Sequence, residues 1–221
     1  MTKKNYTIYI ALIGVVCSYV IIKSLFFIHL RLVRTDIVQG ILTGFGMAIV
    51  TAQITAKIKG TKVNGWTTIF GCNEPGNGMI MRAACTLAFP GPINTPQEAL
   101  YWTTYVDDAN HSLSGEHCYV MRFPAGGLPP NNGFWSLTMG DAKNSFVPNS
   151  INRYSVSDRS GLVPNHDGSV DIYIQKTMPA GFESNWLPAP SGNFVLWLRV
   201  YMPDTIILDG KYTVPPVVEV K

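Results

Sequence analysis

NFVLWLRVYM, residues 193–202, has a large apolar side chain at every second position, namely Phe194, Leu196, Leu198 and Val200. Successive side chains of a β-strand point to opposite faces of the sheet, so a period of two predicts a strand rather than a helix. We therefore predict one long strand, with one face packed in a core and the other directed elsewhere.

The chain from Lys62 onwards repeats this pattern in shorter segments. Gly and Pro separate apolar runs of strand length, which is typical of a β-sandwich or barrel. The predicted strands cover residues 66–70, 99–105, 118–123, 134–139, 169–175 and 193–202. A short helix is predicted over residues 79–87, and Asp167-Gly168 predicts a tight turn before a strand. We expect a mainly β domain of antiparallel strands over residues 61–221.

The first sixty residues have a different character. Residues 5–22 and 37–56 are stretches of 18 and 20 residues without a charged side chain, each long enough to cross a bilayer as a helix. A cleaved signal peptide is the alternative for the first stretch, because Lys3 and Lys4 resemble its basic start, but no small-residue cleavage site follows. We predict a membrane anchor over residues 1–60, with helices over about 6–30 and 37–57.

Charge separates the two parts of the chain. Residues 1–60 carry seven basic side chains against Asp36 alone, a net +6, whereas residues 61–221 carry ten basic and thirteen acidic side chains, a net −3. A mildly acidic domain lacks the basic stripe that a phosphate backbone requires, so we expect no nucleic-acid partner. Basic residues beside apolar helices suit the anionic headgroups of a lipid bilayer instead.

Gly40 and Gly44 stand four positions apart in the second apolar stretch. Small residues at this spacing let another helix approach closely in lipid, although glycine is also common in membrane helices generally. We favour a transmembrane helical hairpin that packs on itself or on a membrane-protein partner.

Several motifs, taken together, resemble one bacterial family. They are GWTT at 65–68, EALYW at 98–102, FWSLTM at 134–139, VPNSINRY at 147–154, ESNWLPAP at 183–190 and LRVY at 198–201. In order and spacing they resemble the family called "domain of unknown function 1214" over residues 62–221. The resemblance implies a jelly-roll-like β-sandwich, often behind a single N-terminal anchor, and it implies no reaction.

The sequence alone leaves the side of the membrane open. Lysines at both ends of the anchor outweigh Arg31 and Arg34 between the two stretches, which favours a cytoplasmic domain behind a hairpin. The single-anchor relatives imply the opposite side of a bacterial inner membrane, and we favour the extracytoplasmic placement.

Three cysteines in the domain leave the disulfide pattern open. Cys72, Cys85 and Cys118 allow at most one disulfide, with three alternative pairings. On the extracytoplasmic side, Cys72 with Cys85 is the first pair to test. In cytoplasm all three would be small buried hydrophobes.

Polar and aromatic residues within the apolar motifs form the candidate ligand site: Trp135, Asn152, Arg153, Asp158, Arg159, Asn185, Trp186 and Arg199. Aromatic faces combined with Asn, Asp and Arg suit a sugar-like or carboxylate ligand, through stacking and bidentate hydrogen bonds. The alternative is that Asp158 and the arginines clamp loops while Asn185 and Trp186 fix a turn.

His111, Glu116 and His117 carry side chains that can bind a metal. Their spacing matches no defined zinc pattern, and a further ligand would have to come from elsewhere in the chain. A solvated hairpin tip is the simpler interpretation, so no metal and no cofactor is expected.

Enzymatic chemistry has little support in the sequence. Asp141, Asp158 and Glu183 are the motif acids available for glycoside hydrolysis, and no nucleophile elbow, phosphate-binding loop or catalytic-cysteine motif occurs. We expect a membrane-anchored binding or structural module in a membrane or envelope assembly. Two alternatives stay open: a carbohydrate-active hydrolase or lyase, and a structural protein of a membrane-containing virus, since jelly rolls also form capsids.

Overall fold

The computed structural model describes residues 16–21, 23–24, 33–89 and 93–220. The chain divides into two compact units, Met1–Thr51 and Ala52–Lys221. Residues 16–21 and 23–24 are helical. The rest of the predicted first helix, over 6–30, lies outside the described residues.

Helix α1, Val33–Lys59, is 27 residues long and includes the whole second apolar stretch. Its segment Asp36–Lys59 is long and apolar enough to cross a membrane. Large side chains on it, such as Ile41, Leu42 and Phe45, are about two-thirds exposed. Such exposure is unfavourable in water and natural in lipid, because hydrocarbon solvates apolar side chains and the helix satisfies its own backbone hydrogen bonds.

Ten strands form two sheets in the described part of the second unit. They are β1 Thr61–Val63, β2 Trp66–Thr68, β3 Ala99–Thr104, β4 Cys118–Phe123, β5 Asn131–Asp141, β6 Ser155–Ser157, β7 Val170–Gln175, β8 Trp186–Pro188, β9 Phe194–Pro203 and β10 Val217–Val220. The helices are α2 Met79–Ala88 and α3 Thr205–Leu208, with a 3-10 turn at Glu183–Asn185. The domain is therefore mainly β, as predicted.

The six-stranded sheet has the order β1-β2-β3-β9-β5-β6, and the four-stranded sheet has the order β10-β4-β7-β8. Every neighbouring pair in the six-stranded sheet is antiparallel. The prediction of antiparallel strands throughout is wrong for β7 and β8, which run parallel. The chain between them crosses over through the 3-10 turn instead of reversing in a hairpin, and parallel neighbours require such a crossover.

The main core lies between the two sheets and centres on β9. Phe194, Leu196, Leu198 and Val200 are all buried in it, which confirms the predicted core face. They pack with other buried side chains, among them Trp102, Met121, Phe123, Trp135, Leu137 and Ile172. Burying side chains of this size stabilises the fold by about 1.5–3 kcal/mol each.

A second, smaller cluster of buried side chains includes Cys85 of helix α2. A disulfide joins Cys85 to Cys72 within this cluster. Phe89 closes this cluster against Tyr101 of β3, with ring centroids 5.8 Å apart. The pairing is the one that the sequence ranked first for an oxidising compartment. Cys118, in contrast, is exposed and free, which differs from the burial expected of it if the domain were in cytoplasm.

Several short or marginal elements differ from the sequence-based prediction. Strands β1, β6, β8 and β10 have three or four residues, too few for a period of two to stand out. Gly168 adopts a positive φ of 78°, as the predicted turn requires. That turn leads from β6 into β7, which belong to different sheets, so it closes no hairpin.

We expect the Cys72→Ser/Cys85→Ser double variant to lose about 2–4 kcal/mol of unfolding free energy, because the disulfide restricts the unfolded chain. Denaturant unfolding of the full chain in detergent, followed by tryptophan fluorescence, measures the loss. Cys118→Ser is the matched control and should change the free energy by less than about 0.5 kcal/mol. Equal losses in both variants would contradict the structural role of the disulfide.

Candidate ligand-binding groove

The outer face of the six-stranded sheet carries aligned rows of side chains across β9, β5 and β6. In the central row, Arg199 lies opposite Ser136, which lies opposite Ser157. Side chains opposite each other on neighbouring antiparallel strands are about 5 Å apart, so the three form a continuous polar strip. Core residues such as Trp135 and Leu137 alternate with this strip and point the other way.

Two flanking rows complete the surface. Trp197 is aligned with Thr138 and Ser155 on one side, and Tyr201 is aligned with Phe134 on the other. The rows enclose a groove of about 410 Å³, which is within the range of small-molecule sites. Its lining residues are Phe134, Ser136, Thr138, Phe146, Tyr154, Ser155, Ser157, Arg159, Arg199 and Tyr201.

One end of the groove is an aromatic pair covered by an arginine. The rings of Phe134 and Tyr201 stack with centroids 4.4 Å apart and planes 16° apart. The Arg159 guanidinium lies 4.6 Å from the Phe134 ring centroid and donates a hydrogen bond to the Gly133 carbonyl, 3.1 Å away. Stacking and the hydrogen bond together hold this cation at the edge of the groove.

At the other end, Trp197 lies against the sheet. Its ring covers Gly140 so closely that a Cβ there would collide with it, which explains glycine at this position. Arg199 lies with its guanidinium 5.7 Å from the Trp197 ring centroid, and Phe146 packs edge-on at 6.5 Å. The buried Trp197 Nε1 has no hydrogen-bond partner among the described residues.

The charge of the groove is positive. Arg159 and Arg199 are its two ionised side chains, and none of the lining residues is acidic. Six hydroxyl groups accompany them: those of Ser136, Thr138, Tyr154, Ser155, Ser157 and Tyr201. Burial raises the pKa of Tyr101, which lies opposite Arg199 on β3, so its phenol stays neutral beside the arginine. This arrangement can bind an anionic group and stack a ring.

The groove contains two of the eight predicted ligand residues, Arg159 and Arg199. Trp135 is 1% exposed and lies in the main core, because it alternates with Phe134 and Ser136 along β5.

Arg153 and Trp186 fasten loops. The Arg153 guanidinium donates hydrogen bonds to the carbonyls of Glu183 and Trp186, the latter at 2.9 Å. The Trp186 indole donates to the Gln175 carbonyl at 2.8 Å. These contacts agree with the alternative to ligand binding, in which the arginine clamps loops and Trp186 fixes a turn.

Asn185 is buried and joins two segments of chain. Its side-chain nitrogen donates to the carbonyls of Val163 and Asp171, and its side-chain oxygen accepts the Val163 N–H, all at 2.8–2.9 Å. Asn152 is exposed with a positive φ of 51°, a conformation that asparagine tolerates. Asp158 is exposed in the turn after β6.

The three motif acids lie in three different places: Asp141 at the end of β5, Asp158 in the turn after β6 and Glu183 in the 3-10 turn. Asp141 accepts the backbone N–H groups of Lys143 and Ser145, both at 2.8 Å. Glu183 accepts the Gly181 N–H, and hydrogen bonds from its own and the Gly181 backbone lower the pKa of its carboxyl. Asp158 is exposed in its turn, and none of these acids lines the groove.

The predicted metal candidates separate into different pairs. Glu116 forms an ion pair with Lys176 at 2.9 Å. His117 Nδ1 lies 2.8 Å from a carboxylate oxygen of Glu219, whereas His111 Nδ1 lies 3.5 Å from Asp107.

Most of the groove residues were not among those predicted from the sequence. Phe134, Ser136 and Thr138 alternate with Trp135 along FWSLTM, so a period of two would have identified them as one face of the strand, opposite the face of Trp135. Phe146 and Tyr154 come from the chain between β5 and β6, where no period gives their direction.

Comparison with known proteins finds a matching family model. The family model described as "Protein of unknown function (DUF1214)" matches residues 98–205. No curated protein matches the sequence.

Two solved structures are similar to the chain. The crystal structure of the VPA0106 protein from Vibrio parahaemolyticus is 31% identical, with a TM-score of 0.55, and the match covers 66% of this chain and 36% of that one. An uncharacterised protein from Burkholderia cenocepacia is 13% identical, with a TM-score of 0.39, and the match covers 84% of this chain and 51% of that one. The chain thus spans about a third and about half of these two proteins.

Proposed function

We propose a function from the groove: a membrane-tethered β-sandwich that binds an anionic, sugar-like ligand. The family model that matches residues 98–205 is described only as a protein of unknown function. The observation that carries the proposal is the pairing of Arg159 and Arg199 with aromatic rings and hydroxyl groups in a groove without acids. Guanidinium groups match carboxylates through paired hydrogen bonds. Hydroxyls suit the hydroxyls of a sugar, and rings suit its apolar face.

Binding is better supported than hydrolysis. Acid–base cleavage of a glycoside requires two carboxyl groups about 5–10 Å apart across a cleft. Asp141, Asp158 and Glu183 lie in separate segments of the chain, and none of them lines the groove. The groove offers positive charge to hold a ligand and no carboxyl group to protonate a leaving oxygen.

We expect D-glucuronate to bind the full chain in detergent and D-glucose, which lacks the carboxylate, to bind more weakly. Arg199→Ala should weaken glucuronate binding at least about tenfold, because a hydrogen bond to a charged group contributes about 1.5–3 kcal/mol. Isothermal titration calorimetry measures both sugars against both proteins. Arg199→Lys, which keeps the charge and loses the paired donors, should recover part of the affinity.

Arg82→Ala is the matched control, since Arg82 is exposed on helix α2, away from the groove residues. It should bind glucuronate like the unchanged protein. Equal binding by Arg199→Ala and the unchanged protein, with both folded by circular dichroism, would contradict the proposed site.

The membrane tether is proposed on the length and apolar character of α1. We propose that the first apolar stretch joins α1 in a helical hairpin. We further propose that Gly40 and Gly44 contact a membrane-protein partner or a second copy. Apart from the adjoining backbone of the helix itself, no described atom lies within 4 Å of a Cβ built at either glycine, so that face has room for another helix. A jelly-roll-like arrangement is supported by the two packed sheets and opposed by the parallel β7–β8 pair.

An extracytoplasmic domain at a bacterial inner membrane is supported by the Cys72–Cys85 disulfide, because disulfides persist in oxidising compartments and are rare in cytosol. In a Cys118→Ser background, which removes the exposed native thiol, we expect Lys143→Cys to react with a membrane-impermeant maleimide in intact cells. Lys143 is exposed in the turn after β5. Labelling that occurs only after the inner membrane is opened would place the domain in the cytoplasm.

A further inference from the structure

Three side chains with metal-binding atoms meet beside the last strand. Asp107 and His111 belong to the segment after β3, and Glu219 belongs to β10. One ligand atom from each lies within 4.8 Å of the other two. His111 was a metal candidate in the sequence and the two acids were not, because residues 107 and 219 are far apart in the chain.

The backbone holds this cluster in place. Asp107 N–H bonds to the His111 carbonyl, and the His111 N–H bonds to Asp107 Oδ1 at 2.8 Å, which closes a tight turn. The Asp108 N–H bonds to the Val217 carbonyl at 2.9 Å and ties the turn to β10. Glu219 is paired with Tyr119 across β10 and β4, so its position is set by the sheet.

The burial of the Asp107 carboxylate is the observation that points to a cation at this place. Its side chain is 2% exposed, and its Oδ2 faces His111 Nδ1 at 3.5 Å, longer than a good hydrogen bond. No lysine or arginine pairs with it among the described residues. A buried carboxylate without a close counter-charge is costly, so this group is suited to a positive ion.

The local charge is negative around the cluster. Asp107 and Glu219 supply two carboxylates, each with an oxygen within 4.8 Å of the other's. His117 Nδ1 is 2.8 Å from Glu219 Oε1, so the imidazole fixes the orientation of that carboxylate. Carboxylates that bind metals are commonly held by such an outer hydrogen bond.

We propose that Asp107, His111 and Glu219 bind a divalent transition-metal ion of the Zn²⁺ type, with His117 as a positioning residue for Glu219. One imidazole and two carboxylates form a mixed nitrogen and oxygen set, which suits Zn²⁺ better than Mg²⁺ or Ca²⁺, which prefer oxygen alone. Ligand atoms within 4.8 Å of one another need small shifts to reach a common ion. His111, with a side chain 75% exposed, is free to make them.

Metal binding at this place has a structural consequence. The ion would join β10 at the edge of the four-stranded sheet to the turn after β3 in the six-stranded sheet. It would therefore fasten the two sheets together and oppose fraying of β10. A ligand that binds only the folded state raises the unfolding temperature.

The test titrates Zn²⁺ into the full chain in detergent after treatment with EDTA and dialysis. We expect one ion to bind per chain by isothermal titration calorimetry and the unfolding temperature to rise. His111→Ala and Glu219→Gln should each weaken Zn²⁺ binding at least about tenfold. Mg²⁺ and Ca²⁺ at the same concentration should not raise the unfolding temperature comparably.

Two matched controls remove one histidine and one acid outside the cluster. His166→Ala changes an exposed turn histidine, and Glu116→Gln changes the partner of Lys176, so both should bind Zn²⁺ like the unchanged protein. His117→Ala should weaken binding, and His117→Gln, which keeps a donor for Glu219, should recover part of it. Absence of Zn²⁺ binding by the unchanged protein would overturn the proposal. So would Zn²⁺ binding by His111→Ala and Glu219→Gln that is as tight as that of the unchanged protein, or a loss in His166→Ala as large as the loss in His111→Ala.

Discussion

The pairing of β9 with β3 on one edge and β5 on the other is the constraint on which the rest of the domain depends. An interior strand forms backbone hydrogen bonds with a neighbour on each side. Its successive side chains point to the two opposite faces of the sheet. On β9 the side chains of Phe194, Leu196, Leu198 and Val200 supply the main core. The odd-numbered residues supply Trp197, Arg199 and Tyr201 to the opposite surface.

The groove is therefore a direct consequence of the core. The registers that bury Leu198 beside Leu137 also place Arg199 beside Ser136 and Tyr201 beside Phe134. A shift of one residue in β5 would exchange the two faces and put Trp135 where Ser136 now lies. Rigid strands hold the floor, and the chain between β5 and β6 adds Phe146 and Tyr154 at one end. A site built on paired strands is more fixed than one built on loops.

The features that could be predicted from the sequence depend on residues close together in the chain, and those that could not depend on residues far apart in it. Alternation along residues 193–202 predicted β9 and its core face, because the period of a strand is a local property. The burial of Val195 and Trp197 on the other face could not be predicted in this way, since it depends on neighbours such as Gly140 and Phe146 brought together by the fold.

Polar residues were harder to interpret than apolar ones. Asn185 and Arg153 attract attention in the sequence as polar groups in apolar motifs, and in the structure they donate hydrogen bonds to backbone carbonyls of neighbouring segments. Groups of that kind are required in any folded domain. The meeting of Asp107 with Glu219 depends on the path of β10, which is too short to be recognised from periodicity.

Hydrogen exchange of the full chain in detergent, resolved by residue, tests the central role of β9 most directly. Interior strands open only in global unfolding, whereas edge strands open locally. The backbone amides of residues 196–200 should therefore be among the slowest in the domain and exchange far more slowly than those of the edge strands β1 and β10. Exchange at 196–200 as fast as at those edges would show that β9 is not the interior strand around which the core and the groove are built.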